Sequence, residues 1–90
     1  MKTKPFLLIS NDDGVSASGI NALIDALRPH CELLVVAPDG PRSGKAFAMT
    51  SDRPVTIRLI RKERGLKIYS CSGTPVDCVK LAFAQLLGKR

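Results

Sequence analysis

Two short runs of consecutive apolar residues stand on either side of a segment with helical spacing in the first part of the chain. The runs lie in residues 6–10, which end in Ser10, and in residues 32–37, which begin with Glu32. Apolar runs of this length are typical of strands buried on both faces, as in a parallel sheet. Between them, apolar residues recur at i, i+3, i+4 and i+7 over residues 20–27, which predicts one apolar stripe of a helix. Ser18 is a suitable N-cap for this helix, and Pro29 ends it.

A strand, a helix and a second strand in this order form a βαβ unit. In such units the loops that carry function lie at the carboxyl ends of the strands. We therefore expect Asp12 and Asp13, which follow the first strand, to share an edge of the sheet with the loop of residues 38–45.

The second half of the chain predicts a hairpin. Residues 55–59 alternate between apolar and polar side chains, which is typical of a half-exposed strand, and residues 67–71 can pair with them across a turn that contains Gly65. Residues 46–53 show no period that assigns them to an element.

A final helix opens at Thr74, with Pro75 at its first position and Asp77 facing the positive end of the helix dipole. We expect its buried stripe to consist of Val76, Val79, Phe83 and Leu86, and Gly88 to end it. In an α/β chain such a helix leads into another parallel strand. The 90 residues are therefore expected to be the N-terminal portion of a single α/β domain, with its C-terminal portion missing.

The composition, with 44% hydrophobic and 24% charged residues, is that of a soluble globular chain. The net charge of +6 raises the possibility of a nucleic-acid partner, but the chain has one tyrosine and no tryptophan on which bases could stack. Much of the positive charge lies on the predicted hairpin, where basic side chains commonly protect an exposed strand. We expect a solvated basic surface and no dedicated nucleic-acid site. The basic residues of the hairpin are Arg58, Arg61, Lys62, Arg64 and Lys67.

Three cysteines and one histidine, His30, lack the spacing of a zinc site, and an odd number of cysteines argues against a disulfide framework. The apolar run that follows Lys2 and Lys4 is much too short for a signal peptide or a membrane span. The sequence therefore predicts a cytoplasmic protein without a membrane partner and with reduced, buried thiols.

The most informative local motif is Asn11-Asp12-Asp13-Gly14, directly after the first strand. Two adjacent carboxylates in a partly desolvated place disfavour each other's charge unless a cation lies between them. Oxygen ligands without nearby histidine or cysteine favour Mg²⁺, Mn²⁺ or Ca²⁺ over Zn²⁺. By itself, an Asp-Asp pair in a loop more often serves capping or turn chemistry than metal binding.

Two further segments have both a chemical and a structural interpretation. Ser43 and Gly44 can complete a metal shell or hold a phosphate, or they can form an ordinary turn. Residues 40–46 are not a P-loop, because the glycine spacing is one residue short and Ala46 replaces the hydroxyl residue that binds magnesium. Residues 72–78 can bind an anion at a helix N-terminus or simply cap that helix.

The three segments also occur in a definite order along the chain. They are Asn11-Asp12-Asp13-Gly14, then Pro38-Asp39 with Arg42-Ser43-Gly44, then Gly73-Thr74-Pro75 with Asp77-Cys78-Val79. In this order they resemble the motifs of the SurE (survival protein E) 5′/3′-nucleotidase family, and the resemblance covers essentially all 90 residues.

The resemblance implies a three-layer, Rossmann-like α/β acid phosphatase that hydrolyses nucleoside 5′- and 3′-monophosphates with a divalent metal cation, Mg²⁺ or Mn²⁺. The residues that it implies are Asp12 and Asp13 for catalysis, Asp12, Asp13 and Ser43 for the metal, and Asn11, Gly44 and Thr74 for phosphate or substrate.

The family pattern extends beyond this chain. A fourth metal ligand, an asparagine in a Gly-Ile-Asn-type segment, would follow residue 90, so the chain alone is expected to be inactive. The resemblance also implies a homo-oligomer, a dimer or a tetramer, for the intact protein.

Two other classes of protein remain as alternatives. A receiver-like signalling module also binds magnesium with an acidic pair after its first strand. Such a module needs an aspartate at the end of its third strand, but neither the run at residues 55–61 nor the run at residues 67–71 ends in one. A non-catalytic basic fragment that binds nucleic acid would show affinity that falls steeply with salt and ignores divalent metal.

Overall fold

The computed structural model describes residues 4–41 and 54–86. Its elements are β1 (Phe6–Ile9), α1 (Ser18–Leu27), β2 (Glu32–Pro38), β3 (Ile57–Glu63), β4 (Leu66–Cys71) and α2 (Pro75–Leu81), and a π-helical extension, Ala82–Leu86, continues α2. The predicted βαβ unit, the hairpin and the final helix are all present.

The described strands form one sheet in the order β1-β2-β4-β3. Strands β1, β2 and β4 are parallel, with Ile9 opposite Val35 and Pro38 opposite Cys71, and β3 runs antiparallel to β4. The sheet is therefore mainly parallel, and β1, β2 and β4 all end at the same edge.

Side chains of β2 alternate between two apolar layers. Leu33, Val35 and Ala37 pack with α1, whereas Leu34 and Val36 pack with α2. Residues 33–38 are buried throughout, and each large aliphatic side chain removed from water contributes about 1.5–3 kcal/mol. The two helices thus cover opposite faces of the sheet, which confirms the predicted three-layer α/β fold.

Strand β1 differs from the prediction of burial on both faces. It lies at the end of the described sheet, and Leu7 is 36% exposed while Ile9 is buried. An apolar run alone does not distinguish a central strand from an edge strand, because both carry the same residues.

Helix α1 begins without a side-chain cap. Its N-cap is Ala17, and Ser18 is the first helical residue, so the prediction of Ser18 as the cap is wrong. Asn21, one turn further on, donates from Nδ2 to the carbonyl oxygens of Ala17 at 2.8 Å and Val15 at 3.2 Å. These bonds attach the start of the helix to the loop before it.

Helix α2 begins as its sequence predicts. Thr74 is the N-cap, Pro75 occupies the first turn, and Asp77 completes a capping box with Thr74. The predicted stripe is wrong at Phe83, which is 61% exposed, whereas Leu86 is partly buried and packs against the core. The buried positions of the helix and its extension are Asp77, Cys78 and Ala82. Small side chains let the helix approach the sheet closely, so Cys78 and Ala82 face it instead of the larger residues.

The hairpin of β3 and β4 turns at Gly65, whose φ of +73° suits glycine. All five basic residues of the hairpin are exposed, as predicted. Glu63 pairs with Arg61 and Arg28, and the hydrogen bond from Arg61 is the first cause of a lowered pKa of this carboxyl. Exposed pairs of this kind contribute little to stability. Within the described ranges, no helix combines the length and apolar character needed to span a bilayer.

Candidate functional site

The segments that follow β1, β2 and β4 meet at one edge of the sheet. The amide of Val15 donates to the carbonyl of Pro38 at 2.7 Å, and the amide of Asp39 donates to the carbonyl of Cys71 at 2.8 Å. These bonds join the loop after β1 to the end of β2, and the loop after β2 to the end of β4. The prediction that Asp12 and Asp13 share an edge with the segment after β2 is confirmed as far as residue 41.

Gly14 allows the first two loops to approach each other. It is buried, its φ is +110°, and a Cβ placed on it would lie 3.2 Å from the Cα and the carbonyl carbon of Gly40. Both the backbone angle and the close contact exclude a side chain without strain. Gly14 therefore fixes the spacing between the acidic segment and the loop after β2.

The side chain of Asn11 stabilises the turn that contains the two aspartates. Its Oδ1 accepts from the amide of Gly14 at 3.1 Å, and its Nδ2 donates to the carbonyl of Gly14 at 3.0 Å. The amide group of Asn11 thus spans Asp12 and Asp13 and holds both ends of their turn. A contact between Asn11 and phosphate stays a prediction.

Asp12 is half-buried and Asp13 is exposed. Within residues 4–41 and 54–86, neither carboxylate makes a hydrogen bond or an ion pair, so their oxygens are not used to cap a helix or close the turn. Uncommitted hard oxygen donors on a braced turn fit a divalent cation such as Mg²⁺ or Mn²⁺. The described part of the chain holds no cluster of three or more His, Cys, Asp or Glu residues suited to a metal. The predicted ligand set contains only two such residues, because its third member is a serine.

Ser43 and Gly44, the predicted metal ligand and phosphate contact of the second segment, lie outside the described residues. The described chain reaches Pro41 on one side and resumes at Pro54 on the other. The roles of Ser43 and Gly44 stay predictions.

The third segment is occupied by its own capping interactions. Thr74 donates from its amide to Asp77 Oδ2 at 2.9 Å and from its hydroxyl to the same oxygen at 3.1 Å, and the amide of Asp77 donates to Thr74 Oγ1 at 3.3 Å. Gly73 donates its amide to Cys71 Sγ at 3.3 Å. Because these groups already have partners, the structure favours the capping interpretation over an anion site here, and a phosphate contact of Thr74 stays a prediction.

Cys71, at the end of β4, is fully buried and free. A hydrogen bond from the Cys78 thiol lowers the pKa of Cys71 to about 7, with desolvation acting in the opposite direction and the Gly73 amide adding to the effect. The thiol pair therefore belongs to the packing between β4 and α2, beneath the capping cluster of α2.

Sequence patterns did not indicate Asn21 as a contributor to this edge. Its contacts with Val15 and Ala17 hold the loop that leaves the acidic turn. Asparagine in a helical segment gives no such signal, because the acceptors become adjacent only after the loop has folded.

Comparison with known proteins identifies the family to which the chain belongs. The family model described as "Survival protein SurE" matches residues 7–90. The chain belongs to the SurE family. It is 54% identical over 89 residues to the 5′-nucleotidase SurE of Phocaeicola vulgatus, covering 99% of this chain and 35% of that protein. It is 52% identical to the 5′-nucleotidase SurE of Porphyromonas gingivalis, covering 100% of this chain and 36% of that protein.

A solved structure of the SurE family supports the fold directly. The crystal structure of the SurE protein from Aquifex aeolicus matches with a TM-score of 0.78 at 37% identity, covering 96% of this chain and 34% of that one. The chain spans about a third of the length of the SurE relatives it matches.

Gly14 offers a test of the packing between the first two loops. We expect Gly14→Ala to lower the free energy of unfolding by about 1–3 kcal/mol, because alanine at this φ is strained and its Cβ presses on Gly40. Thermal unfolding of the full-length protein, meaning the product of the complete reading frame that encodes these residues, measures the change. An unchanged melting temperature would show that the two loops separate at little cost.

Proposed function

We propose that this chain forms the acidic, metal-holding part of a metal-dependent phosphomonoesterase that hydrolyses nucleoside 5′- and 3′-monophosphates. The observation that carries the proposal is the pair of carboxylates, Asp12 and Asp13, which have no partner in the described part of the chain. They lie on a turn held by Asn11, at the edge where three parallel strands end. Membership of the SurE family and relatives named 5′-nucleotidase SurE support the choice of reaction.

In the proposed site, Asp12 and Asp13 supply the anionic oxygens, and Ser43 adds a neutral oxygen from the segment after β2. A divalent cation, Mg²⁺ or Mn²⁺, when bound, supplies Lewis acidity and a water of lowered pKa. The chain's own task is to keep the two carboxylates in place. Asn11 does this by holding both ends of the turn, and Gly14 does it by close packing on Gly40.

The remaining parts of the proposal concern the whole protein. We propose that the chain is the N-terminal part of one domain and that residues beyond it complete the metal shell. The 90 residues alone are then expected to be inactive, since an incomplete shell binds metal weakly. A homo-oligomer and a cytoplasmic location stay predictions.

The proposal predicts that the full-length protein releases inorganic phosphate from nucleoside 5′- and 3′-monophosphates when Mn²⁺ or Mg²⁺ is added. Chelation with EDTA should abolish this activity, and readdition of the metal should restore it. Activity that persists in EDTA, or no release from any nucleoside monophosphate with either metal, would contradict the proposal.

The same preparation separates the two alternatives. A receiver-like module would form an acid-labile acyl phosphate when incubated with a small phosphodonor. A basic nucleic-acid-binding fragment would bind oligonucleotides with an affinity that falls steeply with salt and does not depend on metal.

A further inference from the structure

A serine directly before the acidic turn has a buried hydroxyl with no hydrogen-bond partner among the described residues. Ser10 follows β1, and its Oγ, within the described residues, is the one buried side-chain oxygen or nitrogen without a hydrogen bond. A buried hydroxyl without a partner loses the hydrogen bonds that it made to water and gains none in return. In native proteins such groups are rare, and each calls for a specific explanation.

The position of Ser10 in the fold limits the kinds of group that can pair with its hydroxyl. The residue lies at the carboxyl end of β1, at the edge where ligands of open α/β sheets bind, and it precedes Asn11 and the two aspartates. Continuing the alternation of β1, it follows Leu8 on the side of the sheet that α2 covers. The hydroxyl therefore lies away from the packing around α1, at the end of β1 and next to the acidic turn in sequence.

Many neighbouring donors at this edge already have partners inside the chain. The amides of Gly14 and Val15 are bonded to Asn11 and Pro38, and that of Asp39 is bonded to Cys71. The engaged amides in the third segment are those of Ser72, Gly73 and Thr74. Among the described residues at this edge, these six amides are therefore engaged, whereas the hydroxyl of Ser10 is not.

We infer that Ser10 is a substrate-binding residue whose hydroxyl donates a hydrogen bond to a phosphoryl oxygen. The inference rests on the proposed function, because the two aspartates would repel a phosphate in the absence of a cation. With a cation at Asp12 and Asp13, a phosphoryl oxygen near the acidic turn provides an acceptor for the Ser10 hydroxyl, which has none among the described residues. The ligand class is a phosphate monoester or inorganic phosphate.

The test compares Ser10→Ala with wild type in the full-length protein. We expect the variant to bind inorganic phosphate, in the presence of Mn²⁺, about tenfold or more weakly, since a hydrogen bond to a charged acceptor is lost. The KM for a nucleoside monophosphate should rise in parallel. The melting temperature without phosphate should stay the same or increase, because alanine removes an unsatisfied buried oxygen.

Two variants serve as controls. Ser10→Thr keeps a hydroxyl and should recover most of the phosphate affinity that Ser10→Ala loses. Ser16→Ala removes an exposed hydroxyl from the same loop and should change neither phosphate affinity nor melting temperature.

The opposite pattern overturns the inference: a lower melting temperature for Ser10→Ala with unchanged phosphate affinity shows that the hydroxyl has a structural partner. The proposed function fails separately. If wild type binds phosphate through Ser10 but hydrolyses no nucleoside monophosphate, the reaction is wrong and the binding role holds. If wild type neither hydrolyses nor binds phosphate with Mn²⁺ present, both are wrong.

Discussion

Replacement of Asp12 or Asp13 by asparagine is expected to reduce phosphatase activity of the full-length protein by at least about 100-fold. Residues that only support a metal ligand typically change affinity or activity by 10–100-fold, and these two are proposed to be ligands themselves. Asparagine keeps the size of the side chain but removes the negative charge, so the cation loses its main attraction. Steady-state assays with Mn²⁺ titrated to saturation measure the effect on both metal affinity and turnover.

The matched control is Asp25→Asn. Asp25 is an exposed carboxylate on α1, away from the acidic turn, and its loss should leave activity within about twofold. Unfolding measurements on all three variants exclude loss of structure as the cause. Near-normal turnover of either Asp12→Asn or Asp13→Asn would contradict the assignment of that residue.

Gly73→Ala is expected to have the largest effect on stability. A Cβ at this position would lie 2.3 Å from Asp77 Oδ2 and 2.7 Å from Asp77 Cβ, so Asp77 must move away. The capping box of α2 is then lost, and the amide and hydroxyl of Thr74 lose their buried acceptor. Loss of the cap and overpacking together should cost about 2–4 kcal/mol.

Gly19→Ala, also a replacement of glycine by alanine, is expected to have the opposite effect on stability. A Cβ on Gly19 meets nothing within 4 Å, and the residue lies in α1. Alanine should therefore stabilise the protein by about 0.4–1 kcal/mol. Thermal unfolding of both variants in the full-length protein separates the clash at Gly73 from a general effect of alanine. Equal melting temperatures for Gly73→Ala and wild type would show that Asp77 does not hold the cap.

Most of the fold was predictable because it depends on short-range patterns. Residues 33–38 of β2 are buried throughout, the alternation before Gly65 forms a hairpin strand, and Thr74, Pro75 and Asp77 start α2 as their types predict. The sequence-based predictions were wrong where tertiary packing, and not the local pattern, determines which side chains are buried. Cys78 and Ala82 face the sheet in place of Phe83, since close approach of the helix favours small residues over a larger side chain.

The candidate site was predictable only as a set of motifs on one edge. The positions of Asp12 and Asp13 after β1 follow from the βαβ pattern. Contacts between distant segments do not, because they require the folded backbone. The approach of Gly14 to Gly40 could not be predicted from the sequence, nor could the burial of the Ser10 hydroxyl without a partner among the described residues.

Anomalous diffraction at the manganese edge, from crystals of the full-length protein grown with Mn²⁺, would locate the cation that Asp12 and Asp13 are proposed to bind. We expect one strong peak within about 2.5 Å of a carboxylate oxygen from each of Asp12 and Asp13. A peak at other residues, or no peak near this turn at saturating Mn²⁺, would contradict metal binding by the two aspartates.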